Sequence, residues 1–275
     1  QSNKGACSAR NQAWLLAQGE FIQFLDSDDL LDVKKIECQV IRLLEEPQDT
    51  VATSVWARFY DNKLSTAVIE HHADFRDFLT PVDWLIQSWC GNGTMPPIAW
   101  LVPRSVADKA GPWNEALSLN DDTEYYTRVI INSQKIAFCP DALAYYRSGN
   151  LSLSGRKDEQ AIQSFFLVCE LSTSALLATL ETPDTRQACA CLWQYFVYHA
   201  YPYWPDYVRL AESKINKLGG ANLPLTGTPL FKMLKAVFGW KRASTIQHKL
   251  YKLGYGRLAP GRSLHRFKQG LRLNR

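Results

Sequence analysis

Three carboxylates fall within four positions, Asp26, Asp28 and Asp29, at the end of the apolar run Phe21-Ile22-Gln23-Phe24-Leu25. Acids this close repel one another unless a cation or hydrogen bonds compensate. Side chains alternate along a strand, so Asp26 and Asp28 point the same way if extended geometry persists. A hard divalent cation, Mn²⁺ or Mg²⁺, held through oxygens then meets both, and the usual cargo of such a cation is a diphosphate. The competing arrangement is a solvated turn whose acid caps the next helix. Asp29, just before Leu30-Leu31, is placed for that. A second acid pair, Asp121-Asp122, opens a helical pattern, where acids complement the helix dipole.

The elements that position these acids read as alternating helices and strands. A helix is expected from Ser8 as its cap to Gln18, with Gly19 ending it. Phe21 to Leu25 is too short for a helix and fits a strand buried on both faces. An open α/β sheet binds its ligand at the carboxyl ends of such strands. Asp32 to Leu44 reads as an amphipathic helix with Val33, Ile36, Val40 and Leu43 at helical spacing. Thr50 to Tyr60 is a strand turning at Asp61-Asn62, and Pro81 to Trp89 is a helix. Residues 91–97 form a loop, Ile98 to Val102 a strand, and Ser105 to Ala110 a helix ended by Gly111-Pro112. Asp121 to Asn132 is a helix, and Lys135 to Cys139 and Ala142 to Arg147 are strands.

From Glu159 onward the strand signals stop. The expected domains are 1–158, a helical region 159–222, and a basic helical tail 223–275 that is partly disordered. The last acid is Glu212, and fourteen Lys and Arg follow it. The first 212 residues are therefore acidic and the tail is basic, which suits an anionic surface such as a membrane. No nucleic-acid motif accompanies the charge. In the tail, Phe231, Leu234 and Phe238 share a helical face, and Trp240 is placed at headgroup depth. No apolar run reads as long enough to span a membrane. The seven cysteines include no CxxC pair, which argues against zinc, and scattered thiols suit a reducing cytoplasm.

Five segments in order carry a resemblance. They are Asn3-x-Gly5-x-x-Ser8-Ala9-Arg10-Asn11, the Gly19 to Asp29 segment, Gly111-Pro112-Trp113-Asn114-Glu115, Asp121-Asp122-x-Glu124-Tyr125-Tyr126-x-Arg128, and Tyr145-Tyr146-Arg147. Together they resemble the family 2 glycosyltransferases of the GT-A fold. The resemblance covers residues 3 to about 154. It implies an α/β fold, a partial GT-A type three-layer sandwich with a C-terminal helical region. Family members carry roughly 80–90 residues, two to three βα units, before the Asn-x-Gly segment. Those units hold the nucleotide base, and they do not precede Asn3 here. An apolar face is therefore expected to lie exposed on that side. Many members also place a His after the Tyr-Arg pair, whereas Ser148-Gly149-Asn150 follows Arg147.

By this resemblance, Asn3, Gly5, Arg10, Asp26 and Asp28 bind the donor, a nucleoside diphosphate sugar. Asp26 and Asp28 form the DxD motif that holds the metal. For Arg10 a structural ion pair with Asp28 or Asp29 is the alternative. Asp121-Asp122 matches the family's Glu-Asp pair, and in inverting members the second acid takes the proton of the acceptor hydroxyl. Asp122 is thus the expected base and Asp121 the like charge that tunes it. Glu124 and Arg128 read as structural. Trp100 and Trp113 could line an acceptor pocket, because sugars stack on aromatic faces; a place in the core is the commoner fate of Trp. The implied activity is an inverting, metal-dependent transfer of a sugar to a glycan or lipid-linked hydroxyl, at the cytoplasmic face of a membrane. The competing readings are a non-catalytic remnant, or a peripheral membrane or scaffold module whose acids only bind cations.

Overall fold

The computed structural model describes residues 3–69, 71–149, 158–225 and 227–253. The chain divides into two compact units, residues 1–196 with 210–223, and residues 197–209 with 224–275. Among the described residues the chain is helical from α6 onward, Asp158 capping that helix with its side chain accepting from the Ala161 N–H. The start of that helix is nevertheless not the boundary between the compact units. Helix α6 (Glu159–Thr179) and most of α7 (Pro183–Ala200) and α8 (Pro205–Lys217) belong with the mixed α/β part.

In the first unit, α1 (Ala6–Leu16) starts two residues earlier than the capping signal at Ser8 suggests. Gly5 precedes it at φ 91°, a left-handed conformation that suits glycine. The Asn3 side chain accepts the Gly5 N–H at 3.0 Å, and Ser8 is buried within the helix. The apolar run then yields only a two-residue strand, β1 (Phe21–Ile22), antiparallel to β5 (Val102–Pro103). Leu25 is half exposed rather than interior, although Ile22 and Phe24 are buried. The expected strand 98–102 is instead a 3₁₀ turn over Pro97–Ala99 followed by β5.

The larger sheet has the order β2-β6-β3-β4. Here β2 is Leu30–Leu31, β3 Thr50–Tyr60, β4 Lys63–Ile69 and β6 Lys135–Arg147. β3 and β6 run parallel, while β2 and β4 are antiparallel neighbours. Asp61 and Asn62 turn the β3–β4 hairpin, both at left-handed φ (54° and 57°), as a tight two-residue hairpin requires. The two expected strands 135–139 and 142–147 are one strand, with a register shift opposite Ser54 and Val55. Paired Ala52–Leu101 backbone hydrogen bonds of 3.0 and 2.9 Å join β3 to the chain just before β5. The segment carrying Asp26, Asp28 and Asp29 therefore spans from the small sheet to the edge of the large one.

Helix α2 (Lys35–Leu44) turns a mixed polar and apolar face inward. Lys35, Gln39 and Leu43 are buried, whereas Val33 is 94% exposed and Ile41 and Leu44 are exposed. Leu15 and Leu16 of α1 are exposed as well. The Lys35 ammonium donates to Gln23 Oε1 and Gln39 Oε1, both at 2.6 Å. Gln39 in turn donates to the Ala99 carbonyl at 3.0 Å. A polar network thus underlies β1, Leu43 and Val40 pack on the core beside it, and Ile36 lies on the exposed side.

Helix α3 (Pro81–Gln87) runs into a π turn over Ser88–Asn92. Helix α4 (Arg104–Ala110) ends at Gly111, φ 75°. Helix α5 (Asp121–Ile131) begins after Asn120, φ 56°. Among the described residues α6 alone is long and apolar enough to cross a membrane, which corrects the expectation that no apolar run reaches that length. Half of its apolar window is buried inside the protein, with Ile162, Phe165, Val168, Cys169 and Leu176 in the core.

The second unit contains α9 (Pro229–Lys252), broken at Gly239, φ 75° and ψ 162°. Trp240, just past the break, packs edge-on against Tyr198 and Tyr201 at 5.1 and 5.3 Å. The Ser- and Gly-rich stretch 149–155, which its composition reads as a loop, lies beyond Gly149 outside the described residues, and so does the tail from 254 onward.

Candidate active site

The turn into α1 and the first turn of α5 meet around one guanidinium. Arg10 Nη2 donates to both carboxylate oxygens of Asp26, at 2.8 and 3.1 Å. Its Nη1 donates to Asp121 at 2.7 Å. The guanidinium lies 4.4 Å above the Trp113 ring, a cation–π contact that fixes its plane. The Cys7 thiol donates to the same Asp121 oxygen at 3.1 Å, and burial together with Asp121 pushes this thiol far up. Asn11 explains why the first and third sequence motifs occur together. Its side chain accepts the Trp113 N–H at 2.8 Å and donates to the Trp113 carbonyl and to Glu115. Arg10 is thus ion-paired as a structural reading would have it, but to Asp26 and Asp121 rather than to Asp28 or Asp29.

The other acids of the first cluster are strapped to Arg147. Asp29 is buried and accepts the Arg147 N–H at 2.7 Å. Burial, partly offset by that hydrogen bond, and the charges of Asp28 and Asp26 push its carboxyl up to about 7. The Arg147 guanidinium donates to the Asp28 carbonyl and to Asn62. Asp29 therefore ties β6 to the acid loop instead of capping a helix. Helix α2 begins later, with Asp32 Oδ1 accepting the Lys34 N–H at 3.1 Å. Asp28 is exposed and the Asp26 side chain retains 39% exposure.

Asp121 and Asp122 are neighbours with different surroundings. Asp121 is spent on Arg10. Asp122 lines a cavity of about 410 Å³ together with Trp84, Trp89, Thr94, Tyr126 and Tyr195. Burial first, and then the charge of Asp121, raise its carboxyl to about 6. Three contacts hold the cavity's loop. Tyr126 donates to the Pro97 carbonyl at 3.2 Å, Trp56 Nε1 to the Thr94 carbonyl at 3.2 Å, and Ser88 to the Gly93 carbonyl at 3.3 Å. Gly93 has no room for a side chain, since a Cβ there would lie 2.5 Å from the Asp74 carboxyl carbon.

Trp100 and Trp113 do not line this cavity. Trp100 is fully buried, stacked on Tyr126 at 4.9 Å and edge-on to Trp84 at 5.2 Å. Trp113 is buried and stacked on Tyr125 at 4.1 Å. The sequence reading missed Trp84, Trp89 and Tyr195. The two Trp lie in a helix read only as amphipathic, and Tyr195 arrives on α7, some 70 residues beyond α5. Asn3 and Gly5 are exposed at the start of α1. Glu124 and Arg128 do form a structural pair, at 2.7 Å, and the guanidinium also holds the Ala110 and Pro112 carbonyls. Among the described residues no cluster of three His, Cys, Asp or Glu is set to hold a metal.

Residues 1–97 match the profile described as glycosyl transferase family 2. Over 155 residues the chain is 27% identical to glycosyltransferase GlyG of Streptococcus pneumoniae serotype 4. That match covers 54% of this chain and spans half the length of the curated relative. The fold is that of the crystal structure of S. aureus TarS residues 1–349 in complex with UDP-GlcNAc, with a TM-score of 0.61 at 17% identity over 91% of this chain and 73% of that one. A structure of the same TarS fragment, described without that ligand, aligns with a TM-score of 0.58 at the same identity over 92% of this chain and 73% of that one.

Proposed function

We propose that this chain, whose residues 1–97 match glycosyl transferase family 2, moves a sugar from a nucleoside diphosphate sugar to an acceptor hydroxyl with inversion. The observation that carries this reading is the divergence of two adjacent acids. Asp121 is committed to the Arg10 cation, while Asp122 faces a cavity large enough for a sugar unit. The Arg10 side is the donor side, where a guanidinium matches a diphosphate in charge and geometry. The cavity side is the acceptor side.

The chemistry follows from that arrangement. Asp122 takes the proton of the acceptor hydroxyl as its oxygen bonds to the anomeric carbon. The bond from that carbon to the diphosphate breaks on the opposite face, and its electron pair leaves with the diphosphate. A carboxyl raised to about 6 is ionised at neutral pH and is a stronger base than an ordinary one. Asn3, Gly5 and Arg10 hold the diphosphate, and Trp84, Trp89 and Tyr195 hold the acceptor glycan or lipid-linked sugar. The oxygens of Asp26 and Asp28 are a hard donor set with remaining exposure, which fits Mg²⁺ or Mn²⁺. When bound, such an ion would neutralise charge on the departing diphosphate.

UDP-GlcNAc, held by the TarS structure of similar fold, is the first donor to try within a panel of nucleoside diphosphate sugars. Expected is saturable binding of one donor and metal-stimulated release of its nucleoside diphosphate. Asp122→Asn keeps donor binding and loses transfer. Absence of binding by any donor, with and without divalent metal, would overturn the reading in favour of a non-catalytic module.

A further inference from the structure

The second unit is strongly basic. It holds thirteen Lys and Arg and one acid, Asp206. Its helix α9 opens with a ten-residue stretch, Pro229 to Phe238, before the break at Gly239. The sequence alone suggests that Phe231, Leu234 and Phe238 form one outward face with Trp240 beside it. The structure assigns the faces differently. Phe231 is buried, and Trp240 is held by Tyr198 and Tyr201. What faces outward is Leu230, Met233 and Val237, at 47%, 59% and 68% exposure. At 100° per residue these three fall within a narrow arc, and half-exposed Phe238 extends it. Lys232 and Lys235 lie on the opposite side of the helix, Lys232 exposed and Lys235 donating to the Leu225 carbonyl at 3.1 Å, and Arg242 is exposed beyond the break.

We propose that this face of α9 docks the protein on an anionic lipid bilayer. An apolar stripe opposed by a lysine-bearing polar face is what lets a helix lie in the interfacial plane. Its apolar residues enter the acyl boundary, and the lysine stems reach back to the headgroups. The charge of the whole unit selects the partner, because each basic residue near an anionic leaflet adds to the attraction. A second copy of this chain would bring two strongly basic units together, which their charge opposes. Nucleic acid would satisfy the lysines and leave Leu230, Met233 and Val237 without a role. The break at Gly239 keeps the stretch distinct, since the chain after it is anchored by aromatic contacts and by the 2.7 Å Tyr203–His248 hydrogen bond.

The test uses the full chain and sedimentation with two kinds of vesicle, phosphatidylcholine alone and phosphatidylcholine with phosphatidylglycerol. Binding is expected to the anionic vesicles only, and to weaken at high salt. Met233→Ser with Val237→Ser removes the apolar face from an exposed position and should lower binding about tenfold or more. Lys232→Gln with Arg242→Gln leaves that face intact and should lower it about 30-fold at low salt. Circular dichroism of each variant checks that its helices are retained. Equal binding to both vesicle types, or undiminished binding by the Met233/Val237 variant, overturns the proposal. So does a parent dimer that the same variant converts to monomer without any vesicle binding.

Discussion

Arg10 and Asp26 form a forked contact in which one guanidinium nitrogen reaches both carboxylate oxygens, at 2.8 and 3.1 Å. Asp26, one of the two acids proposed to receive a divalent ion, is thereby already paired with a cation of the protein. Donor and metal are then expected to bind together, the diphosphate drawing Arg10 away as the ion takes Asp26. Replacing Arg10 by Gln separates the two effects. Mn²⁺ alone should bind the Arg10→Gln protein about tenfold more tightly, since a charged hydrogen-bonded partner contributes roughly 1.5–3 kcal/mol. The nucleoside diphosphate sugar should bind more weakly. Asp26→Ala and Asp28→Ala should each weaken Mn²⁺ binding measured in the presence of donor. Calorimetric titration that finds Mn²⁺ affinity unchanged across all three variants would remove the metal from this site.

The environment of Asp122 sets a pH limb. Its carboxyl is raised to about 6 by burial and by Asp121. A base must be ionised to act, so kcat/KM is expected to be flat above this value. It should fall about tenfold per pH unit below it. Asp122→Asn should lower turnover about 10²-fold or more and abolish the limb. Asp121→Asn removes the like charge and should move the limb to lower pH, with donor binding weakened through Arg10. A limb that stays in place in Asp122→Asn would assign the titration to another group.

Strand β3, the Asp61-Asn62 turn, the Gly111 stop and helix α5 were all legible in the sequence, because each depends on local signals. So were the acid clusters. The buried face of α2 was legible only in part, with Leu43 and Val40 on it and Val33 and Ile36 not. Val33, Ile36 and Val40 repeat at helical spacing, and spacing cannot say which side the core takes. The Lys35–Gln39–Gln23 network under β1 decides it. Trp100 and Trp113 were ambiguous for a related reason, since an aromatic ring suits a core as well as a sugar. The Arg10–Asp26–Asp121 bridge joins residues over 110 positions apart, and no local pattern encodes it. Nor could spacing reveal that Tyr195 of the helical region completes the cavity of the α/β part.

The Gly93–Asp74 contact offers a test of the cavity's loop. Gly93 has an extended φ of 174°, so its requirement is steric and not conformational. Gly93→Ala must displace either the loop or Asp74. An increase in acceptor KM with little change in donor affinity is expected from steady-state kinetics. Asp74 is fully buried, and neither carboxylate oxygen has a hydrogen-bond partner among the described residues. Burial raises its carboxyl to about 7. The folded state therefore binds this proton more tightly than the unfolded chain, and parent stability falls as pH rises from about 4 to 7. Asp74→Asn should stabilise the protein, by more at pH 8 than at pH 5. Equal gains at both pH values would show that Asp74 is not the titrating group.

Lys35 gives the opposite sign. Its side chain is fully buried, its ammonium held by two glutamine oxygens and no carboxylate. Burial lowers its pKa from 10.5 to about 7. Below about pH 7 both folded and unfolded chains carry the charge, and the folded state bears its full desolvation cost. Between about 7 and 10.5 the unfolded chain holds the proton more tightly, so stability rises with pH across this window. The slope is at most about 1.4 kcal/mol per pH unit. Lys35→Met removes the ionisable group and leaves two glutamine oxygens without their donor, so its absolute stability mixes a gain and a loss. The informative quantity is the difference between the two denaturation series. Parent minus Lys35→Met should climb from pH 7 to 10 and be level below pH 6. A difference that is level throughout would mean that Lys35 stays charged in the fold at every pH tested, and the assigned titration would fail.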